Sequence, residues 1–122
     1  MKIVRISLKL VLLFLHLVIH KNPSYTGFIA KAYFEVGAYK EAIEYCALKL
    51  KVRLNDPILL YYQAKSLLEL KANKYALILA KYTCELSPES TSAWTLLAKA
   101  YIAVGNYRYV FYMIELGLIS NR

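Results

Sequence analysis

Acidic residues, histidines, cysteines and glycines are all scarce in this chain, and each shortage removes a class of chemistry. The 122 residues include one aspartate, Asp56, and seven scattered glutamates. The two histidines, His16 and His20, both lie near the start, so no acid–base pair is suggested and no enzyme activity is expected. The four glycines are too dispersed to form a phosphate-cradling loop, and neither Gly-x-Ser-x-Gly nor His-Glu-x-x-His occurs. Cys46 and Cys84 are too few for a disulfide framework and lack companions at metal-ligand spacing. They read as two buried thiols, compatible with a reducing compartment. His16 and His20 would share a helix face, yet no acid or cysteine lies near them in sequence, which favours apolar packing over half a metal site. No cofactor and no metal are expected.

Apolar and basic residues are abundant instead. Hydrophobic residues make up 59% of the chain, and sixteen Lys and Arg against eight acids give a net charge of +8. Such a charge suits an acidic protein, an anionic surface or nucleic acid. The cations are dispersed singly, however, and the densest group, Lys49-Lys51-Arg53, alternates with Leu50, Val52 and Leu54 rather than forming a basic stripe. A solvated face is the expected role, and nucleic acid is not the expected partner. Of the twelve tyrosines, Tyr33, Tyr39, Tyr75, Tyr101, Tyr107 and Tyr109 fall at phases that suit packing rather than base stacking.

Residues 1–22 admit several readings. The run from Leu10 to Ile19 is about half of a membrane span, and a longer span would bury Arg5 and Lys9. Lys2, Arg5 and Lys9 before an apolar core resemble a signal peptide, but no small-x-small cleavage site follows. Stepping back 34 residues from Ala42, Cys46 and Lys49 lands on Leu8, Leu12 and Leu15, which fits the second helix of an earlier, partial repeat. The segment is either that partial repeat or a signal or membrane anchor.

The same 34-residue step organises the rest. Ala98-Lys99-Ala100-Tyr101 steps back to Ala64-Lys65-Ser66-Leu67 and again to Ala30-Lys31-Ala32-Tyr33. A fixed period of this size belongs to a solenoid whose units stack on their neighbours. Pro57 after Asp56, and Ser87, Ser90 or Thr91 around Pro88, supply helix starts. Gly37, the stretch Lys71-Ala72-Asn73, and Gly105-Asn106 supply breaks. Helices are predicted at about 24–36, 39–53, 57–70, 73–86, 90–104 and 107–118. With no strict alternation persisting, the fold is expected to be all-α: antiparallel helix-turn-helix repeats at 23–56, 57–90 and 91–122. The last helix is apolar all round, which predicts cover by self-association, docking or further repeats.

Trp94-x-x-Leu97-Ala98-x-x-Tyr101 resembles the first-helix signature of tetratricopeptide repeats, and Ala76 followed by Pro88 resembles their second-helix alanine and closing proline. The resemblance implies a right-handed superhelix in which Ala30, Ala64 and Ala98 allow close helix approach, while Tyr33, Leu67 and Tyr101 pack between helices. It departs in the second helices, where Cys46, Ala80 and Ile114 stand for an aromatic and Val110 for the alanine. The stretch from Pro57 to Lys65, with Ala80 to Ile102, is similar to the repeat region of the fungal exomer cargo adaptors, the ChAPs. That resemblance implies a cytoplasmic adaptor, peripheral on Golgi membranes, that works with a coat scaffold and an Arf-type GTPase in transport to the cell surface. The repeat family further implies a concave groove lined by first helices. Lys31, Lys65 and Lys99 would form a ladder there for an acidic or carboxylate-bearing peptide, flanked by Phe34, Leu68 and Ile102. The asparagines of chaperone-tail clamps are missing from this ladder, so that specificity is not implied. The alternative role is a membrane-anchored repeat protein inserted through residues 1–22.

Overall fold

The computed structural model describes Lys9, Val11 and residues 25–119. Six helices follow in order: α1 (Thr26–Glu35), α2 (Tyr39–Leu50), α3 (Pro57–Glu69), α4 (Asn73–Leu86), α5 (Thr91–Ala103) and α6 (Arg108–Glu115). Among the described residues there is no strand, so the fold is all-helical as expected.

Local chemistry sets the helix starts. Asp56 caps α3, its carboxylate accepting the amides of Ile58 at 3.0 Å and Leu59 at 3.3 Å, while Pro57 fills a position with no amide to satisfy. Arg53 holds the same carboxylate at 3.1 Å. Of the three candidates before α5, Ser90 is the cap, accepting the amide of Ala93 at 3.2 Å.

The turns within the units repeat one another to the atom. The amides of Ala38, Ala72 and Asn106 return to the carbonyls of Tyr33, Leu67 and Tyr101, each at 2.9 Å. This wrap needs a left-handed residue at its bend, and Gly37 (φ 80°), Lys71 (φ 65°) and Gly105 (φ 81°) occupy it. Gly117 (φ 72°) closes α6 the same way, with Leu118 N–H on the Met113 carbonyl at 3.0 Å, so α6 stops at Glu115 rather than near 118. Likewise α2 stops at Leu50 instead of 53, because the chain must turn before the Asp56-Pro57 start.

Each helix packs on the next, and the first helices α1, α3 and α5 also pack directly on one another. No comparable packing joins α2, α4 and α6. A row that touches on one side and splays on the other curves toward the touching side. The first helices therefore form the inner layer.

Small residues make that approach possible. Ala30, Ala64, Ala42 and Ala76 are completely buried and Ala98 nearly so. One core, of Ile29, Ala30, Tyr45, Cys46 and Leu59, joins the first unit to the second. A larger one, from Ala64 and Ala80 to Leu96, Leu97 and Met113, joins the second to the third. Tyr33, Leu67 and Tyr101 are half-buried between helices, and Tyr109 stacks on Tyr101 with centroids 4.9 Å apart. Two tyrosines expected to pack do not: Tyr75 is 70% exposed and Tyr107 is 56% exposed. Tyr75 lies beside the buried Ala76, about 100° around the helix, which turns it to solvent. Trp94 is half-buried and its indole N–H donates to the Pro88 carbonyl at 2.7 Å, while Pro88 itself is exposed.

In α6 only Met113 is buried, and Phe111, Tyr112 and Leu116 face water. Residues 1–22, whether partial repeat, signal or anchor, and the pair His16 and His20 lie outside the described residues, apart from Lys9 and Val11. Lys9 is helical and its ammonium meets Glu41 of α2 at 2.9 Å. Among the described residues no helix is long and apolar enough to cross a membrane.

Candidate functional site

One stripe of each first helix faces the inner layer's open side. In α3 it runs Ile58, Tyr61, Lys65, Leu68, a three-four-three spacing that keeps the residues on one face. In α5 the same phases are Ser92, Thr95, Lys99 and Ile102, and in α1 they include Gly27, Lys31 and Phe34. The lysines and apolar residues expected at the groove thus belong to a longer stripe. Its front half, Ile58, Tyr61, Ser92 and Gly27, is what sequence reasoning missed.

The three lysines differ in their surroundings. Lys31 and Lys99 are exposed and form no ion pair among the described residues. Lys65 is half-buried, its ammonium 4.4 Å from the Phe34 ring centroid, 5.2 Å from that of Tyr61 and 5.8 Å from that of Tyr62. An ammonium over aromatic faces gains electrostatic attraction from the rings. Tyr61 and Tyr62 lie four and three residues before Lys65 on α3, whereas Phe34 comes from α1. Tyr62 meets Phe34 at 6.1 Å and Tyr61 edge-on at 5.0 Å, so the rings brace one another. Leu68 is half-buried and Ile102 is 46% exposed at the far end of the stripe.

At the near end the stripe opens into a pocket of about 450 Å³ between the N-terminal halves of α1, α3 and α5. Phe28, Pro57, Ile58 and Ala93 supply apolar walls, and Lys31 lines it together with the ion-paired Arg53 and Asp56. Burial raises the Tyr61 phenol above its ordinary pKa, with Lys99 and a hydrogen bond to Ser92 lowering it and Glu35 raising it. Burial raises Tyr62 as well, followed by the influence of Tyr61 and Glu35. Both phenols are therefore neutral near pH 7 and serve as hydroxyl donors and acceptors.

The face combines exposed cations, a ring-held cation and a pocket with apolar walls, groups that can attract carboxylates and cover an apolar side chain. It offers no activated nucleophile. Burial pushes the Cys46 thiol up to about 12, with Asp56 adding to it, and the Cys84 thiol up to about 11, with Glu85 adding to it. Such thiols are inert. Among the described residues no group of three or more His, Cys, Asp or Glu could hold a metal ion.

Comparison with known proteins adds fold and family. The chain superposes on a solved structure of the MamA RS-1 ArsTM double mutant with a TM-score of 0.77 and 23% identity, covering 91% of this chain. It spans 65% of the length of that structure. MamA is a tetratricopeptide-repeat protein, and likeness at this identity speaks for the fold, which is of that repeat type. No curated protein sequence matches the chain. The profile of the Chs5p-Arf1p-binding proteins matches residues 1–115, nearly the whole sequence, and includes all six helices. The chain belongs to the ChAPs family.

Proposed function

We propose that this chain is a non-enzymatic adaptor, a cytoplasmic protein peripheral on Golgi membranes, acting in an exomer-like coat that carries cargo from the Golgi to the plasma membrane. Its partners are a coat scaffold of the Chs5p kind, an Arf-type GTPase and the acidic segment of a protein that lies along the first helices. Membership of a family named for binding Chs5p and Arf1p carries the reading. The stripe of Lys31, Lys65 and Lys99, with Phe34, Leu68 and Ile102 beside it, is the proposed groove. Because Lys31 and Lys99 are exposed, they provide reach and on-rate. Lys65, braced by three rings, provides a fixed point of charge. The proposed packing residues Ala30, Ala64, Ala98, Tyr33, Leu67, Tyr101, Trp94 and Pro88 hold the first helices at the spacing this face requires.

Co-purification tests the adaptor role. The 122-residue chain, mixed with purified Chs5p and GTP-loaded Arf1p, is expected to retain both through size exclusion. Elution of all three as separate species overturns the role.

A further inference from the structure

A row of lysines attracts an acidic segment without fixing its register, because the attraction between exposed charges is nondirectional and screened by salt. The pocket at the near end of the stripe supplies what the row lacks. Its 450 Å³ lies within the range of ligand pockets. Phe28 is 69% exposed and Ile58 52% exposed, so two large apolar side chains from α1 and α3 face water beside Lys31. Gly27 keeps those helices close. A Cβ there would meet Ile58 Cγ2 at 3.0 Å, whereas the other units carry Tyr61 and Thr95 at this phase.

Resting on the groove reading above, we propose that the pocket takes one leucine- or phenylalanine-sized side chain of an acidic partner peptide, and that a carboxylate reaching Lys65 lies about three residues from that anchor. The net charge of +8 and the exposed Lys31 and Lys99, which form no ion pair among the described residues, select an acidic peptide over a basic one. The spacing follows from geometry. Ile58 and Lys65 are two turns apart on α3, about 10.5 Å at a rise of 1.5 Å per residue. An extended peptide covers that distance in about three residues, at about 3.3 Å each.

Fluorescence anisotropy with labelled nine-residue peptides tests this. One peptide carries a leucine three residues from a glutamate, a second replaces that leucine by serine, a third replaces the glutamate by glutamine, and a fourth moves the leucine to lie next to the glutamate. The leucine is expected to tighten binding to the native chain about tenfold, in line with burial of one aliphatic side chain. Ile58→Ser, and Ser92→Trp as an independent plug at an exposed position, are expected to remove that advantage, so that each variant binds the leucine and serine peptides alike. Thermal melts followed by circular dichroism verify that both variants fold. Equal affinity for the leucine and serine peptides, with the glutamate still required, overturns the anchor and leaves the groove reading standing. Equal affinity for the first and fourth peptides overturns the spacing. Indifference to the glutamate, or no binding by any peptide, overturns both.

Discussion

Lys65 leans on three aromatic rings, whereas Lys31 and Lys99, at the same phase of the neighbouring repeats, stand in water. The middle repeat differs from its neighbours at two further positions. It turns on Lys71 where they turn on Gly37 and Gly105, and it buries the Ser66 hydroxyl where the third repeat buries Ala100. The backbone nevertheless closes all three turns with bonds of the same length. The register of a repeat therefore fixes where a residue stands. What surrounds its side chain is decided across the interface, by residues such as Phe34 that belong to another unit.

Thiol chemistry is the most sensitive way to compare the two junctions of the middle repeat, and the largest effect is expected there. Cys46 belongs to the core before it and Cys84 to the core after it. With the Cys46 thiol raised from 9.0 to about 12, its alkylation at pH 9 should be slowed roughly a hundredfold or more relative to the unfolded chain. Mass spectrometry of time points reads each cysteine separately, and the junction that opens more often should label first. The raised value also sets a pH dependence. Above pH 9 the unfolded thiol loses its proton while the folded one keeps it, so stability is full below pH 9 and falls as pH rises toward 12. Denaturant titrations should show that fall, and Cys46→Ala should lessen it.

Overpacking comes next in size. Ala64 is completely buried where α3 meets its neighbours, and Ala64→Leu should destabilise by about 1 to 3 kcal/mol in urea unfolding. Swaps between repeats probe the smaller differences. Lys71→Gly should stabilise by about 1 kcal/mol by relieving a left-handed lysine, and Gly105→Lys should cost about as much. Ser66 has a buried hydroxyl with no hydrogen-bond partner among the described residues, so Ser66→Ala should also stabilise by about 1 kcal/mol. A loss of stability in either middle-repeat variant would mean that the repeat has adapted to its own residues.

The sequence carried the architecture because the 34-residue period repeats the close-packing alanines at 30, 64 and 98, the turn positions at 37, 71 and 105 and the cap positions at 56 and 90. Half of the candidate face was legible for the same reason, since lysine recurs at 31, 65 and 99 and an apolar residue at 34, 68 and 102. The other half was not. Gly27, Tyr61 and Thr95 share a phase but no chemistry, so periodicity offers nothing to match. The signal available was the helix face itself, reached by stepping back four and seven residues from each lysine. The ring box around Lys65 was hidden more deeply, because one of its walls comes from α1 and two from α3. Tyr75 and Tyr107 misled because a tyrosine at a packing-friendly phase needs a neighbour to pack on, and both face solvent.

The most direct test of the face as a binding surface is calorimetric titration of the acidic nine-residue peptide with its leucine three residues from the glutamate into the native chain and into the double charge reversal Lys65→Glu with Lys99→Glu. At low salt the reversal is expected to weaken binding at least tenfold, with Lys65→Glu alone contributing more than Lys99→Glu because its charge is held in place. Unchanged affinity in the double reversal, with the variant folded, would contradict the assignment of partner binding to the first helices.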